Sequence, residues 1–429
     1  MNVLQPFKIP SSSHWLKEFF CVSARLILLT LCCVGVCNVC FSDTLSVHSK
    51  VSIITCGPGE ELYEAYGHSA IRVSDPERNL DLVYNYGTFS FSDPDFYSKF
   101  IKGKLQYYLS VGSYDNFYAS YAYDNRSLKE QVLNLSVEER NQVYQYLLNN
   151  HLLENRYYLY DFFYDNCATR EIKLLNDVLG ERLIWPVEEG GGKTFRQHIA
   201  LPDFPWVYFG MSIALGTPTD KKTSAVEGAF LPYNLYHLIA DSKVLISDSL
   251  APLIRSSSDL FVPIPRETSA NAFPSPVLFF WGLFALVLVV SALGIFKRRN
   301  FLLLFDYALF SISGLLGVLF LFLWFGTDHQ STAWNFNILW ASPLNLIFPF
   351  LLQRHNAFKA YALFCFLSYT IVLLGSGTLV PQEFHQAVYP IVLILSVRVL
   401  AWVFFYPEIC DRFRYKEINN KSTLLGRKA

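Results

Sequence analysis

The stretch "YDFFYDNCATREIKLL", residues 160–175, decides how the chain is read. A run of aromatic residues and aspartates ends in a single cysteine, Cys167. The residues after it, "ATREIKLLNDVLG", read as a helix closed by Gly180. A cysteine at a helix start meets exposed backbone N–H groups and the positive end of the helix dipole, and both favour the thiolate. On residue types alone three readings stand: a nucleophile, half of a disulfide, or a buried core thiol.

The residues upstream supply possible partners. "VSIITC" (51–56) reads as a strand rich in β-branched residues and stopped by Gly-Pro-Gly. "HSAIRVS" (68–74) reads as a second strand, whose alternation puts His68, Ala70 and Arg72 on one face and Ser69, Ile71 and Val73 on the other. "DPERN" makes a turn and "LDLVYNYGTF" a third strand. "LSVEERNQVYQYLLNNHLL" is a helix opened by the Ser136/Glu139 capping-box pattern. A thiol nucleophile needs a histidine to take or share its proton. His48, His68, His151, His198, His237 and His329 are available, and His68 alone begins a strand after a glycine, in "YGHSAIRV". The disulfide reading pairs Cys167 with Cys56, the other cysteine of this region, and suits an oxidising compartment.

Composition places the chain at a membrane. Its 429 residues allow two or three domains, and it is 52% hydrophobic but only 17% charged, too apolar for an ordinary soluble protein. A net charge of −1 gives no sign of nucleic-acid binding. The nine cysteines cluster near the two ends, apart from Cys56 and Cys167, and make no CxxC pair with metal spacing in the middle. Lys17 and Arg25 precede the apolar run "LILLTLCCVGVCNVCF" (26–41), the form of a secretory signal or of an uncleaved anchor. Either sends the chain after residue 42 across the membrane. "EEGGGK" (188–193) lacks the spacing of a phosphate-binding loop.

The domains expected are a segment 1–42, an outer domain 43–253, a Ser/Pro-rich linker 254–275 and a membrane domain 276–429. Five apolar stretches, roughly 277–296, 301–325, 336–353, 357–376 and 389–406, approach the length that spans hydrocarbon. Lys297, Arg298 and Arg299, then Arg354 and Lys359, and finally the basic tail lie on one side. The loops "GTDHQSTAWN" and "GTLVPQEFHQAVYP" hold no Lys or Arg, so the positive-inside rule puts them outside, with the middle domain. Arg398 falls in mid-helix, where a charge needs a partner, and Asp306 is the candidate. His329, Asn335 and Asn337 in the outer loop read as headgroup ligands or as interfacial polar residues.

A histidine opening a strand, followed by strands and then by "NC" opening a helix, resembles the circularly permuted papain-like order of NlpC/P60 and lecithin–retinol acyltransferase-like proteins. More closely, "YGHSAIRV", "YNYGTF", "FFYDNCATR", "ALGTPTDKKTSAVEGAFLPYNL" (214–235) and "NFNILWASPLNL" (335–346) resemble Lnb-type lipoprotein N-acyltransferases. The resemblance implies an α+β papain-like (circularly permuted NlpC/P60-like) periplasmic domain followed by an all-α five-helix transmembrane domain in the bacterial inner membrane. It implies Cys167 as nucleophile and His68 as its base. The third member comes from the next strand, with Asn85 ahead of Tyr84 and Tyr86. Asn166 sets the turn or donates to the oxyanion, and Asp165 is a helix cap or a catalytic group. Arg72 and Arg170 are candidates to grip a phosphate. The substrate pair implied is a membrane phospholipid acyl donor and a diacylated lipoprotein acceptor, with no cofactor or metal called for. A cell-wall peptidase or amidase, a phospholipase or thioesterase, and a non-enzymatic scaffold with a Cys56–Cys167 disulfide are the rivals.

Overall fold

The computed structural model describes residues 44–92, 94–187, 192–265, 273–296, 303–351 and 354–404. The expected signal or anchor segment, the cluster Lys297–Arg299, the basic tail and part of the linker lie outside the described residues.

β-branched and aromatic residues at alternating positions build one antiparallel seven-stranded sheet. Its strands are β1 (Lys50–Cys56), β2 (His68–Asp75), β3 (Leu80–Thr88), β4 (Gln106–Ser113), β5 (Leu128–Leu133), β6 (Tyr157–Leu159) and β10 (Ile254–Phe261). They lie in the order β10-β5-β1-β2-β3-β4-β6. The short strands β7 (Leu183–Ile184), β8 (Lys243–Ile246) and β9 (Ser249–Pro252) make a separate ribbon. Because β10 pairs with β5, the sheet runs on to Phe261, into the stretch expected as linker.

The two faces of the sheet bury different sets, as the period of two requires. Ile53, Ile71, Val73, Tyr84 and Tyr86 meet the long helices of one side, α3 (Val137–His151) and α4 (Cys167–Leu179). Ile54, Ala70 and Val83 meet aromatic side chains of α2 (Tyr114–Tyr123) on the other. The short helix α1 (Phe96–Ile101) lies between β3 and β4. The Ser136/Glu139 capping box is present at α3, worth about 1 kcal/mol for such a cap.

After α5 (Pro205–Ala214) and α6 (Pro232–Asp241) the chain enters the apolar region. Among the described residues, three helices there are long and apolar enough to cross a membrane: Pro276–Gly294, Leu303–Phe325 and Asn356–Gly375. They belong to α7 (Pro276–Phe296), α8 (Leu303–Phe325) and α9 (His355–Gly375), and a shorter apolar helix, α10 (Val388–Phe404), follows. The stretch 336–353, expected as one helix, is instead a chain of short turns, Phe336–Leu339, Pro343–Ile347 and Phe348–Leu351. Pro343 interrupts it, and α8 accommodates it closely, for a Cβ on Gly314 would press on Leu346 and one on Gly317 on Pro343. Non-helical backbone in an apolar region is stable only where its polar groups are satisfied by protein. Here Asn345 donates to Ser313 Oγ at 2.9 Å and Trp340 O at 3.1 Å, and accepts from Tyr361 at 2.9 Å. Arg398 and Asp306 pair as the sequence suggested, at 2.6 and 2.7 Å, with Trp402 and Ser291 completing the buried cluster.

From Leu45 onward the described residues form one compact unit. Its two halves are joined by buried polar contacts. Gly216 N–H donates to Ser331 O at 2.9 Å and Thr217 N–H to Trp334 O at 3.3 Å. Asn335 and Asn337 both donate to Ile213 O, at 2.8 and 3.1 Å. Arg196, buried, holds this turn together through Asp220 at 2.7 Å and the carbonyls of Ser212, Leu215 and Gly216.

Candidate active site

The polypeptide brings Cys167, His68 and Asn85 together from three elements. Cys167 is the first residue of α4, buried against the sheet with 8% of its surface exposed. His68 opens β2, and Asn85 lies on β3, on the same face as Val83. His68 Nε2 hydrogen-bonds to Asn85 Oδ1, which leaves Nδ1 as the ring nitrogen available to the thiol. Gly87, at φ +88°, marks how close the pair is. A Cβ built there would stand 3.9 Å from His68 Cε1 and 4.0 Å from Cys167 Cβ.

The electrostatics match that geometry. Burial works against a thiolate at Cys167, but the charge and hydrogen bond of His68, with the N–H and hydroxyl of Ser69, outweigh it and pull the thiol down to about 7. Burial likewise disfavours the imidazolium, and the Cys167 thiolate with the Asn85 hydrogen bond raises His68 above its ordinary value. The two groups therefore stabilise each other's charged forms. Cys56 is the contrast. It is free, as Cys167 is, so the Cys56–Cys167 disulfide expected by the rival reading is not present in this structure, and burial pushes the Cys56 thiol up.

Asn166 is the helix cap. Its Oδ1 accepts from Thr169 N–H at 3.0 Å, and its Nδ2 donates to Phe162 O at 2.8 Å and Phe230 O at 2.9 Å. With both amide protons taken, it sets the turn that presents Cys167 and has no donor left for an oxyanion. Asp165 is not the cap, which is Asn166. Asp165 holds Arg170 in a two-pronged pair at 2.6 and 2.8 Å, and that guanidinium lies 3.5 Å over the Tyr158 ring. Arg72 is engaged with Asp81 at 2.7 Å and Glu130 at 3.1 Å, and stacks 3.4 Å over Tyr114. Neither arginine presents the open fork that phosphate binding expects. Tyr84 and Tyr86 face the opposite side of the sheet from Asn85, in the packing against α4. His329 is not gathered with the thiol either: its Nε2 meets Phe100 O and Ile101 O, each at 3.1 Å, at the junction of the two halves.

Three polar residues of this site escaped the sequence reading. Ser69 follows His68 and flanks the thiol; its hydroxyl lies near enough to Cys167 and Glu171 to bias both, yet makes no hydrogen bond of regular geometry. Glu171 is wholly buried, its two oxygens lack regular hydrogen bonds, and burial holds its carboxyl well above the usual range. Its spacing, one turn after Cys167 on the buried face of α4, was the signal available. The Tyr158 hydroxyl is buried near Gly87 and Cys167, also without a regular hydrogen bond, and burial keeps it protonated.

An antiparallel sheet with a histidine on an early strand and a cysteine opening the helix packed upon it is the permuted papain-like arrangement, here a thiol domain carried on apolar helices. A model of the Lnb N-terminal periplasmic domain matches residues 41–188, and a model of the Lnb transmembrane domain matches residues 268–408. Both halves, in that order, cover well over half of the chain, and it belongs to the Lnb family. It is thus a membrane protein with a periplasmic domain. No curated protein and no solved structure matches the chain.

Proposed function

We propose that the protein is a thiol-dependent lipoprotein N-acyltransferase of the inner membrane. Cys167 Sγ attacks an acyl-ester carbonyl of a membrane phospholipid. A C–S bond forms, the ester C–O bond breaks, and His68 passes the thiol's proton to the departing oxygen, releasing a lysophospholipid. The α-amino group of a diacylated lipoprotein's cysteine then attacks the thioester. A C–N bond forms, the C–S bond breaks, and the amine's proton returns through His68 to Cys167. Asn85 orients the imidazole. The oxyanion meets the Cys167 backbone N–H, which as the first of the helix has no intrahelical partner, and the Tyr158 hydroxyl.

The observation that carries this reading is the meeting of Cys167, at a helix start, with a His68 that is hydrogen-bonded to Asn85, in a domain joined to membrane helices. Family membership supports a lipoprotein-modifying enzyme. The test is the intact mass of a reporter lipoprotein from cells lacking an N-acyltransferase. Wild type should add one acyl chain, and Cys167→Ser or His68→Ala should add none. No added mass with normally expressed wild type would remove acyl transfer to amine and leave hydrolysis of a lipid or cell-wall bond.

A further inference from the structure

One aromatic surface has no role in the chemistry above. Phe91, Tyr97, Phe100 and Ile101 are 62%, 74%, 54% and 49% exposed, an apolar face on the sheet domain. Phe89 and Phe96 tie the rings together, Phe89 to Phe91 at 4.9 Å and Phe96 to Phe91 at 4.8 Å, to Tyr97 at 5.3 Å and to Phe100 at 6.3 Å.

The height of this face relative to the helices is fixed. Asp328 N–H donates to Lys102 O at 2.9 Å, and His329 Nε2 meets the carbonyls of Phe100 and Ile101 at 3.1 Å. These loop residues follow directly on Phe325, the last residue of α8. Phe100 therefore lies level with the C-terminal end of α8, a helix long and apolar enough to cross a membrane. The same level carries Trp324, Phe325 and Trp334, with Trp324 and Trp334 rings 5.0 Å apart, the pattern of an interfacial aromatic belt.

From this face a line of rings runs inward. Phe89 meets Tyr107 at 5.3 Å, and Tyr107 stacks on Tyr160 at 4.2 Å. Tyr107 and Tyr160 pack against the core cluster that contains Cys167. We propose that the aromatic face formed by Phe89, Phe91, Phe96, Tyr97 and Phe100 rests in the outer interface of the bilayer and that its inward line of rings leads a lipid acyl chain to Cys167. Continuity with the membrane helices favours a lipid surface over a protein partner as its occupant. The seating stands on the geometry of the junction, while the acyl path rests on the acyl-transfer reading.

The experiment uses the full chain in phospholipid nanodiscs. A photocrosslinking benzoylphenylalanine replaces Tyr97, or, as a control, Tyr123, which is 89% exposed on the helix covering the other sheet face. Position 97 should yield phospholipid adducts and position 123 few or none. Equal yields, or protein adducts alone at 97, would overturn the seating. A Phe91→Ser/Phe100→Ser variant should acquire phospholipid-derived acyl mass on Cys167 at least about tenfold more slowly, from the loss of two apolar anchors. Its alkylation by iodoacetamide should match wild type. An unchanged acylation rate would overturn the path. If wild type itself gains no acyl mass, the acyl-transfer reading and the path fall together, and the crosslinks still decide the seating.

Discussion

Gly216 donates its backbone N–H to Ser331 O at 2.9 Å, and this bond fastens the segment after α5 to the outer loop of the membrane domain. The approach is so close that a side chain at 216 has no room: a Cβ there would overlap Ala333 O. Backbone cannot swing aside as a flexible side chain does. Gly216→Val is expected to cost about 1–3 kcal/mol or more through overpacking. Thermal unfolding of the detergent-solubilised chain measures it, and an unchanged midpoint would mean that the two halves are not held by this contact.

Asn85 holds His68 through a single hydrogen bond from the ring. Asn85→Ala removes the acceptor but leaves the thiol and the imidazole. Acyl transfer should fall by roughly 10²-fold, the low end of what a positioned acid–base group contributes, while the fold is retained. The rate of acyl-thioester formation is the readout. A variant as fast as wild type would show that β2 alone orients the imidazole.

The strands, the α3 cap and the start of α4 were legible because each is written locally: period-two apolar residues, Ser136 with Glu139, and a helix after Asn166. The partnership of Cys167 and His68 was legible only through the order of motifs, since they are far apart in the chain. Asp165 and Arg170 misled because an aspartate and an arginine beside a nucleophile look chemical, and nothing local says that they neutralise each other. The broken stretch 336–353 misled because hydropathy measures apolarity, while Pro343 and the close packing of Gly314 and Gly317 decide whether a helix forms. The motifs 214–235 and 335–346 were visible as separate strings. Their contact, Asn335 and Asn337 on Ile213 O, is a tertiary fact.

Arg398 and Asp306 test how the helices are held together. Both are buried, and Arg398→Leu leaves the Asp306 carboxylate without its countercharge. Breaking one partner of such a pair costs about 3–5 kcal/mol, whereas replacing both with apolar residues costs far less. Arg398→Leu should therefore destabilise the protein more than Arg398→Leu/Asp306→Leu. Equal losses in thermal unfolding would locate the contribution in the Trp402 and Ser291 bonds instead.

The last prediction concerns the thiol itself. Cys167 is pulled down to about 7, so its thiolate is present above that pH and lost as the pH falls through it. The rate of alkylation by iodoacetamide should rise with pH and reach half its plateau near pH 7. In His68→Ala burial is no longer opposed by the imidazolium, and the midpoint should move up, well above 7. Glu171 supplies the control. A charged carboxylate there would raise the thiol, but burial works against that charge and raises Glu171 well above its usual range. Glu171→Gln should then leave the midpoint where it is. A downward shift in that variant would mean that Glu171 carries a negative charge beside the nucleophile in the native protein.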